Sequence, residues 1–263
     1  PTPGDQYIKL NAGPITILGG VPDNSQGMTV YQNSFTTASL GPFFGAFQQA
    51  MQQGSTPQEA IMQAKDLLVK SDVDYIKPER VKVFEIGYKG LINNNLAIDI
   101  NYYYSSYTDF LLNQVVMEPQ SAVLAPDGSI NPAAAMDLLN GDSHLYQLYT
   151  NASDVVTAQG ATIGFTYSLP KNYRIGANLT IATFNIKDAD PNNVPGFNTP
   201  EYKTALTFGN TRVTDNLGFN VAWRWQDTYE WYVTFNQMRP GTIEAFSIVD
   251  AQVSYKLHPI KST

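Results

Sequence analysis

Between Leu96 and Ser105 the sequence alternates without a break. Leu96, Ile98, Ile100, Tyr102 and Tyr104 fall on one side, and Ala97, Asp99, Asn101, Tyr103 and Ser105 on the other. Successive side chains of a strand point to opposite faces of its sheet, so this segment predicts a strand with one apolar and one polar face. Such a strand can serve two architectures. A soluble barrel or sandwich turns the apolar face into its core, whereas an outer-membrane barrel turns it towards lipid and lines a lumen with the polar face.

The pattern recurs. Seven strands are predicted: about 80–92; from Leu96 on through FLLNQVV; about 155–169; from Tyr173; about 200–210, where alternation is weakest; 217–226; and about 249–257. The connections between and after them alternate in length: short at 93–95, long at 118–154, short at 170–172, longer at 188–199, short at 212–216, longer at 233–245 and short at 258–262. An up-and-down barrel sorts its loops this way, tight periplasmic turns on one rim and long external loops on the other. A Greek-key sandwich has no reason to.

The polar face carries Glu85, Lys89, Asp99, Arg174, Arg224, Asp250 and Lys256. Burying these charges in a soluble core would cost several kcal/mol each unless they were paired, while a wet lumen accepts them. Composition agrees. Charged residues make up 15 %, against roughly 25 % in soluble domains, and polarity is carried instead by neutral groups alongside 16 tyrosines. Tyrosine and tryptophan near the strand ends suit interfacial girdles. A net charge of −7 with no basic cluster argues against nucleic acid as a partner. The chain has no cysteine, hence neither a disulfide framework nor a thiolate metal site.

Residues 1–56, rich in Gly, Pro, Gln, Asn and Ser, predict a long loop with short ordered pieces. The next stretch, TPQEAIMQAKDLLVK, offers Thr56 as N-cap, Pro57 at N1 and Glu59 at N3, predicting one amphipathic helix over about 57–70. Residues 1–79 are thus expected to form an external loop region with a short helix, and residues 80–263 the barrel strands. The opening PTPGDQYIKLNAGP has no Met and no apolar leader, and the chain stops just after a turn signal, so both ends read as cuts through a longer protein.

Four segments resemble the TonB-dependent outer-membrane receptors, in the order that family shows them. IKPERVKVFEIGYKG (76–90) resembles its strand introduced by Pro-Glu, and NLAIDINYYYSSYTDF (95–110) the strand after it. FNTPEYK (197–203) is similar to its Asn-x-Pro lead into a later strand, and IEAFSIVDAQVSYKL (243–257) to the Val-Asp strand near the barrel's C-terminal end. The flavour is that of Bacteroidetes-type receptors. The resemblance implies an all-β, antiparallel, up-and-down transmembrane segment. It would supply about seven strands of a barrel of about 22, from its C-terminal portion. It also implies residence in the outer membrane of a Gram-negative cell, in contact with lipid. In the intact protein it implies a plug domain, the TonB energy-coupling protein, and a ferric siderophore, vitamin or glycan as ligand. No enzyme activity, catalytic residue, cofactor or metal is expected. The competing readings are a passive porin-like or structural barrel and a soluble carbohydrate-binding β-sandwich.

Several residues invite sharper roles. His144 and His258 are the only histidines, each in a predicted connection, where isolated histidines are ordinary. Asp188, Asp190, Asn192 and Asn193, and separately Asp127, offer oxygens to Ca²⁺, but turn formation accounts for both groups. Glu85 with Asp99 or Asp250 suggests a carboxylate pair, though lumen-lining acids explain it better. Phe43, Phe44, Phe47, Tyr146, Tyr149, Trp231, Tyr232 and Phe235 are candidates for stacking on a flat ligand, or for loop packing.

Overall fold

The computed structural model describes residues 2–22, 27–186, 193–194, 198–231 and 241–257. In chain order it begins with α1 (Pro3–Tyr7), β1 (Lys9–Asn11), β2 (Ile15–Leu18), α2 (Gly27–Gln32), β3 (Phe35–Thr36), α3 (Thr37–Gln52) and α4 (Pro57–Ala64). Two long strands follow, β4 (Arg80–Ile92) and β5 (Leu96–Thr108), then β6 (Leu111–Pro119), α5 (Pro132–Asn140) and β7 (Ser143–Asn151). The remainder is β8 (Val156–Ser168), β9 (Tyr173–Ile186), β10 (Asn193–Val194), β11 (Tyr202–Asn210), β12 (Leu217–Gln226), β13 (Tyr229–Trp231), β14 (Gly241–Ile243) and β15 (Phe246–Tyr255).

Seven of these strands form one antiparallel sheet, the wall, in the order β15-β12-β11-β9-β8-β5-β4. Each wall strand pairs with the next one in sequence, with bulge-free registers such as Arg80↔Thr108 through Ile92↔Leu96. The turns at one end are tight. Asn93 and Asn94 stand at φ 48° and 57°, and Lys171 and Asn172 at 62° and 65°. Among residues with a side chain, Asn tolerates this left-handed region best, which suits an Asn run to closing the first hairpin. At the other end the chain leaves the wall over 109–155, 187–201 and 227–245.

Two of those excursions, with the N-terminal segment, build a separate folded cap. Its six-stranded sheet joins β1-β2-β7-β6-β10, with β3 also pairing β6. The β2–β7 pairing is parallel and brings Ile15 opposite Leu145. Helices α3, α4 and α5 pack around Phe35, Leu40, Phe43, Ile61, Leu68, Val123 and Leu138. A second cluster joins Leu18, Val30, Tyr31, Val73, Val116 and Leu148. A third, Leu112, Ala152 and Val156 with Tyr107, Phe110 and Ile186, seals the cap onto the wall's rim.

Three sequence expectations change here. Residues 1–56, expected as loop, contain the 16-residue α3 and the fully buried β2. Helix α3 carries Gly41, Pro42 and Gly45, all poor helix formers, and owes its existence to burial of Leu40 and Phe43. With α5 in the connection after β6, five helices are described where one was expected. The strand predicted to run on through FLLNQVV instead ends at Thr108. Asp109 adopts φ 55° and redirects the chain, and the adjacent Val115 and Val116 are both buried, which suits a cap strand covered on two faces. The helix after Thr56 starts as expected, with the Thr56–Glu59 capping box formed, but gives way to a 3-10 turn at Lys65–Leu67.

Candidate functional site

Registers across the wall convert strand alternation into two continuous surfaces. One row reads Tyr88–Ile100–Ile163–Leu179–Thr204–Trp225–Ser247, and the next Gly90–Ile98–Phe165–Ala177–Leu206–Trp223–Val249. This face is mostly apolar across the seven strands, yet it stays open: Ile86 is 61 % exposed and Val253 73 %. Tyr167, Tyr173, Phe208 and Phe219 gather towards the short-turn end, with Tyr173 stacked on Phe208 at 5.7 Å. Phe84, Tyr102, Tyr104, Tyr202 and Trp225 lie towards the other end.

The opposite face is polar and hollowed. One depression of about 700 Å³ is floored by Lys89, Asp99, Gly164, Thr166, Asn178 and Thr207. A second of about 400 Å³ lies beside Thr180, Lys203, Arg224, Gln226 and Phe246. Four of the charges on this face form two ion pairs, and Glu85 accepts a hydrogen bond from an amide. Lys89 meets Asp99 at 3.1 Å, Arg224 pairs with Asp250, and Asn101 donates to Glu85. The rows also need small residues. A Cβ on Gly160 would come within 2.6 Å of the Tyr103 ring, which lies across it from the neighbouring strand.

Cap and wall are tied by a few polar contacts. The Asn151 side chain accepts from the Lys77 backbone N–H at 2.6 Å and donates to the carbonyls of Lys77 at 3.0 Å and Asp109 at 2.6 Å. Glu79 accepts from the Leu111 N–H at 3.2 Å. All four bonds lie where β4 begins and β5 ends.

A family model described as TonB dependent receptor-like, beta-barrel matches residues 26–262. The chain belongs to this receptor family. No curated protein sequence matches it. Among solved structures it is similar to the FrpB iron transporter of Neisseria meningitidis (F3-3 variant), at 14 % identity and TM-score 0.45, covering 70 % of this chain and 24 % of that one. It is also similar to the pyoverdine receptor FpvA of Pseudomonas aeruginosa bound to pyoverdine (17 %, TM-score 0.44, 70 % and 24 %). A ferric enterobactin receptor mutant, PfeA of the same species, aligns likewise (17 %, TM-score 0.47, 70 % and 24 %). The chain thus spans about a quarter of the length of these structures. No helix among the described residues is long and apolar enough to cross a membrane, which says nothing of a receptor barrel that crosses with strands.

In this receptor segment the candidate residues scatter. Glu85, Asp99 and Asp250 each have a cationic or amide partner and form no carboxylate pair. His144 meets Thr16 at 2.8 Å and lies edge-on to Tyr146. Beside them Glu118 is half-buried, and desolvation raises its pKa more than its hydrogen bond with Tyr146 lowers it. Asp127 closes a turn by accepting from the Ser129 N–H and hydroxyl, which hold its pKa down. Among the described residues no group of three or more acidic or His side chains converges on a metal position. Phe43 is fully buried in the cap core, with the partly buried Phe44 and Phe47 packed against it. Tyr146 packs against the second cluster, while Trp231 is 41 % exposed with Tyr229 edge-on to it. His258, Asp188, Asp190, Asn192, Tyr232 and Phe235 lie outside the described residues, and Asn193 sits in β10. The Asn151 tie went unseen because its partners are backbone groups up to 74 residues away.

Proposed function

We propose that this chain is the C-terminal portion of the barrel of a Bacteroidetes-type receptor that imports a large, scarce nutrient across a Gram-negative outer membrane. The nutrient class is a ferric siderophore, a vitamin or an oligosaccharide, and TonB supplies the energy through a plug domain in the intact protein. One observation carries the reading: a largely apolar face over seven strands, backed by a hollowed, charge-bearing face that holds the ion pairs Lys89–Asp99 and Arg224–Asp250. Lipid satisfies the first face, and a wet lumen holding a plug satisfies the second. The cap then stands at the external mouth, because it grows from the long-connection rim. The segment binds and shapes; no step of covalent chemistry is assigned to it.

The test places the gene for the intact receptor in a host lacking its own high-affinity uptake. Accumulation of labelled siderophore, vitamin and oligosaccharide is then followed with and without TonB. Uptake that saturates and vanishes without TonB supports the reading. Uptake that is linear in concentration and indifferent to TonB would replace it with a passive pore.

A further inference from the structure

The hollowed face carries few rings. Across the seven wall strands, parity turns only four aromatic side chains to it, Tyr103, Tyr107, Phe184 and Phe246, and all four stand in the rows nearest the long-connection end. Tyr107 is already engaged, packed into the cluster that seals the cap to the rim. The other three lie beneath that seal. Tyr103 is the most constrained: its ring lies across Gly160 on the neighbouring strand, where a Cβ would come within 2.6 Å of it. A ring laid on a glycine gives one face to the backbone and keeps the other for the lumen. Phe184 stands one row nearer the cap on β9 and is 38 % exposed, while Phe246, at the far end on β15, is 44 % exposed.

Between the rings the side chains are mostly uncharged hydrogen-bonding groups. One row reads Asn101–Thr162–Thr180–Lys203–Gln226 and ends on Phe246, with the Thr162 and Thr180 hydroxyls 3.4 Å apart. Opposite Tyr103 stands Glu85, whose carboxylate accepts from the Asn101 amide. The charged groups at this level, Glu85, Glu201 and Lys203, include both signs. From β5 to β15 is five strand spacings, ~24 Å at ~4.8 Å each. At its β15 end this arc runs into the depression of about 400 Å³ beside Phe246.

Rings separated by hydroxyls, amides and a carboxylate suit a ligand with apolar faces and hydroxyl edges. A pyranose is such a ligand: its C–H face stacks on a ring, while its hydroxyls donate to carboxylate and amide oxygens and accept from amide N–H groups and the Lys ammonium. A ferric tris-catecholate fits worse, because it is anionic and its rings would meet Glu85 beside Tyr103. We infer that Tyr103, Phe184 and Phe246 form an arc on the hollowed face that binds a neutral oligosaccharide chain beneath the cap. This rests on the receptor reading above and selects one of its nutrient classes. Tyr103 is the fixed platform, and Gly160 is what lets its ring lie flat.

The experiment presents the intact receptor, solubilised in detergent, to an array of neutral and acidic oligosaccharides. The strongest binder and a ferric tris-catecholate are then titrated by calorimetry. A neutral oligosaccharide is expected to bind, and the catecholate not to compete with it. Tyr103→Ala and Phe184→Ala should each weaken binding about fivefold, and together about 25-fold, whereas Tyr103→Phe should stay within about twofold of wild type. Gly160→Ala, which lifts the ring without removing it, should weaken binding as Tyr103→Ala does. Thr207→Ala, on the same face towards the short turns, should change nothing. The inference is overturned if no neutral oligosaccharide binds, or if Thr207→Ala weakens binding as much as Tyr103→Ala. It is also overturned by a Tyr103→Ala receptor that loses thermal stability but keeps its affinity, since the ring then only covers Gly160. TonB-dependent uptake of a siderophore or vitamin by a receptor that binds no neutral oligosaccharide removes the arc and leaves the receptor reading standing. Oligosaccharide uptake that needs Tyr103 but is indifferent to TonB does the reverse.

Discussion

Replacing Asn151 with Ala should loosen the cap from the wall without unfolding either. Three hydrogen bonds converge on this one side chain, and two of its partner groups belong to Lys77, immediately before β4. Each is worth about 1 kcal/mol net, less where water can replace the lost partner, so the variant should cost about 2–3 kcal/mol locally. At 1.4 kcal/mol per decade, the junction should open roughly 30- to 150-fold more often. Hydrogen exchange on the intact receptor in detergent reads this directly. Amides 74–79 and 109–113 should exchange faster by that factor, while those of β8 and β9 around Ile163 and Leu179 should hold. Asn151→Asp should fare no better than Ala, because a carboxylate keeps the bond from the Lys77 N–H but faces two carbonyls to which it cannot donate. Exchange within threefold of wild type at the junction would refute the argument, as would an acceleration shared equally by the wall.

Three further outcomes follow from the same geometry. Ile163→Lys, in the middle of the outward face, should cost about 2–4 kcal/mol of barrel stability and deplete the receptor from outer-membrane fractions, while neighbouring Thr162→Lys, on the hollowed face, should be tolerated. The reverse order would turn the wall inside out. Glu118, whose pKa is raised by desolvation, binds its proton more readily folded than unfolded, so cap stability should rise as pH falls through that raised value and level off below 4.5. Glu118→Gln should flatten this slope in melting curves between pH 4 and 8. Glu59, whose pKa is lowered by the Thr56 N–H and hydroxyl, has the opposite sign: its contribution is complete above 4.5 and lost as pH falls through the depressed value. Protection factors at residues 58–61, corrected for the intrinsic exchange rate at each pH, should therefore fall below pH 4.5 in wild type and be low at every pH in Glu59→Gln.

The wall was legible because each of its residues faces one of two uniform surroundings. A period of two in the sequence therefore maps onto space with no further information, and β4, β5, β8 and β12 fall where alternation puts them. The turn at Asn93–Asn94 was legible for a local reason, its left-handed backbone. The cap obeys neither rule. Ile15–Leu18 is buried at four consecutive positions, so it has no alternation to read, and its partner Leu145–Leu148 lies some 130 residues on. Helix α3 contradicts its own propensities at Gly41, Pro42 and Gly45, because Phe43 at the centre of the helical core outweighs them. The same division applies to the functional surfaces. Which charges line the hollowed face could be counted from parity, but that Arg224 takes Asp250 while Lys89 takes Asp99 depends on register between strands, which parity leaves open.

Wall and cap also draw stability from different sources. The cap has two apolar clusters of its own and needs no solvent other than water. The wall has none between its faces: it leaves large apolar side chains exposed along one surface and ends at β4 and β15 with an unpaired edge on each. Such edges invite further strands, and such a face invites lipid. The wall therefore acquires its stability only on insertion and closure, whereas the cap can fold as soon as residues 3–75 and 111–151 meet. Since those two stretches flank β4 and β5, cap formation holds the Arg80 end of β4 against the Thr108 end of β5 and presets their register before lipid is met. Loosening the Asn151 tie should accordingly slow assembly of the receptor into bilayers more than it lowers the melting point of the assembled barrel. A variant that assembled at the wild-type rate would show that register is set by the Asn93–Asn94 turn alone.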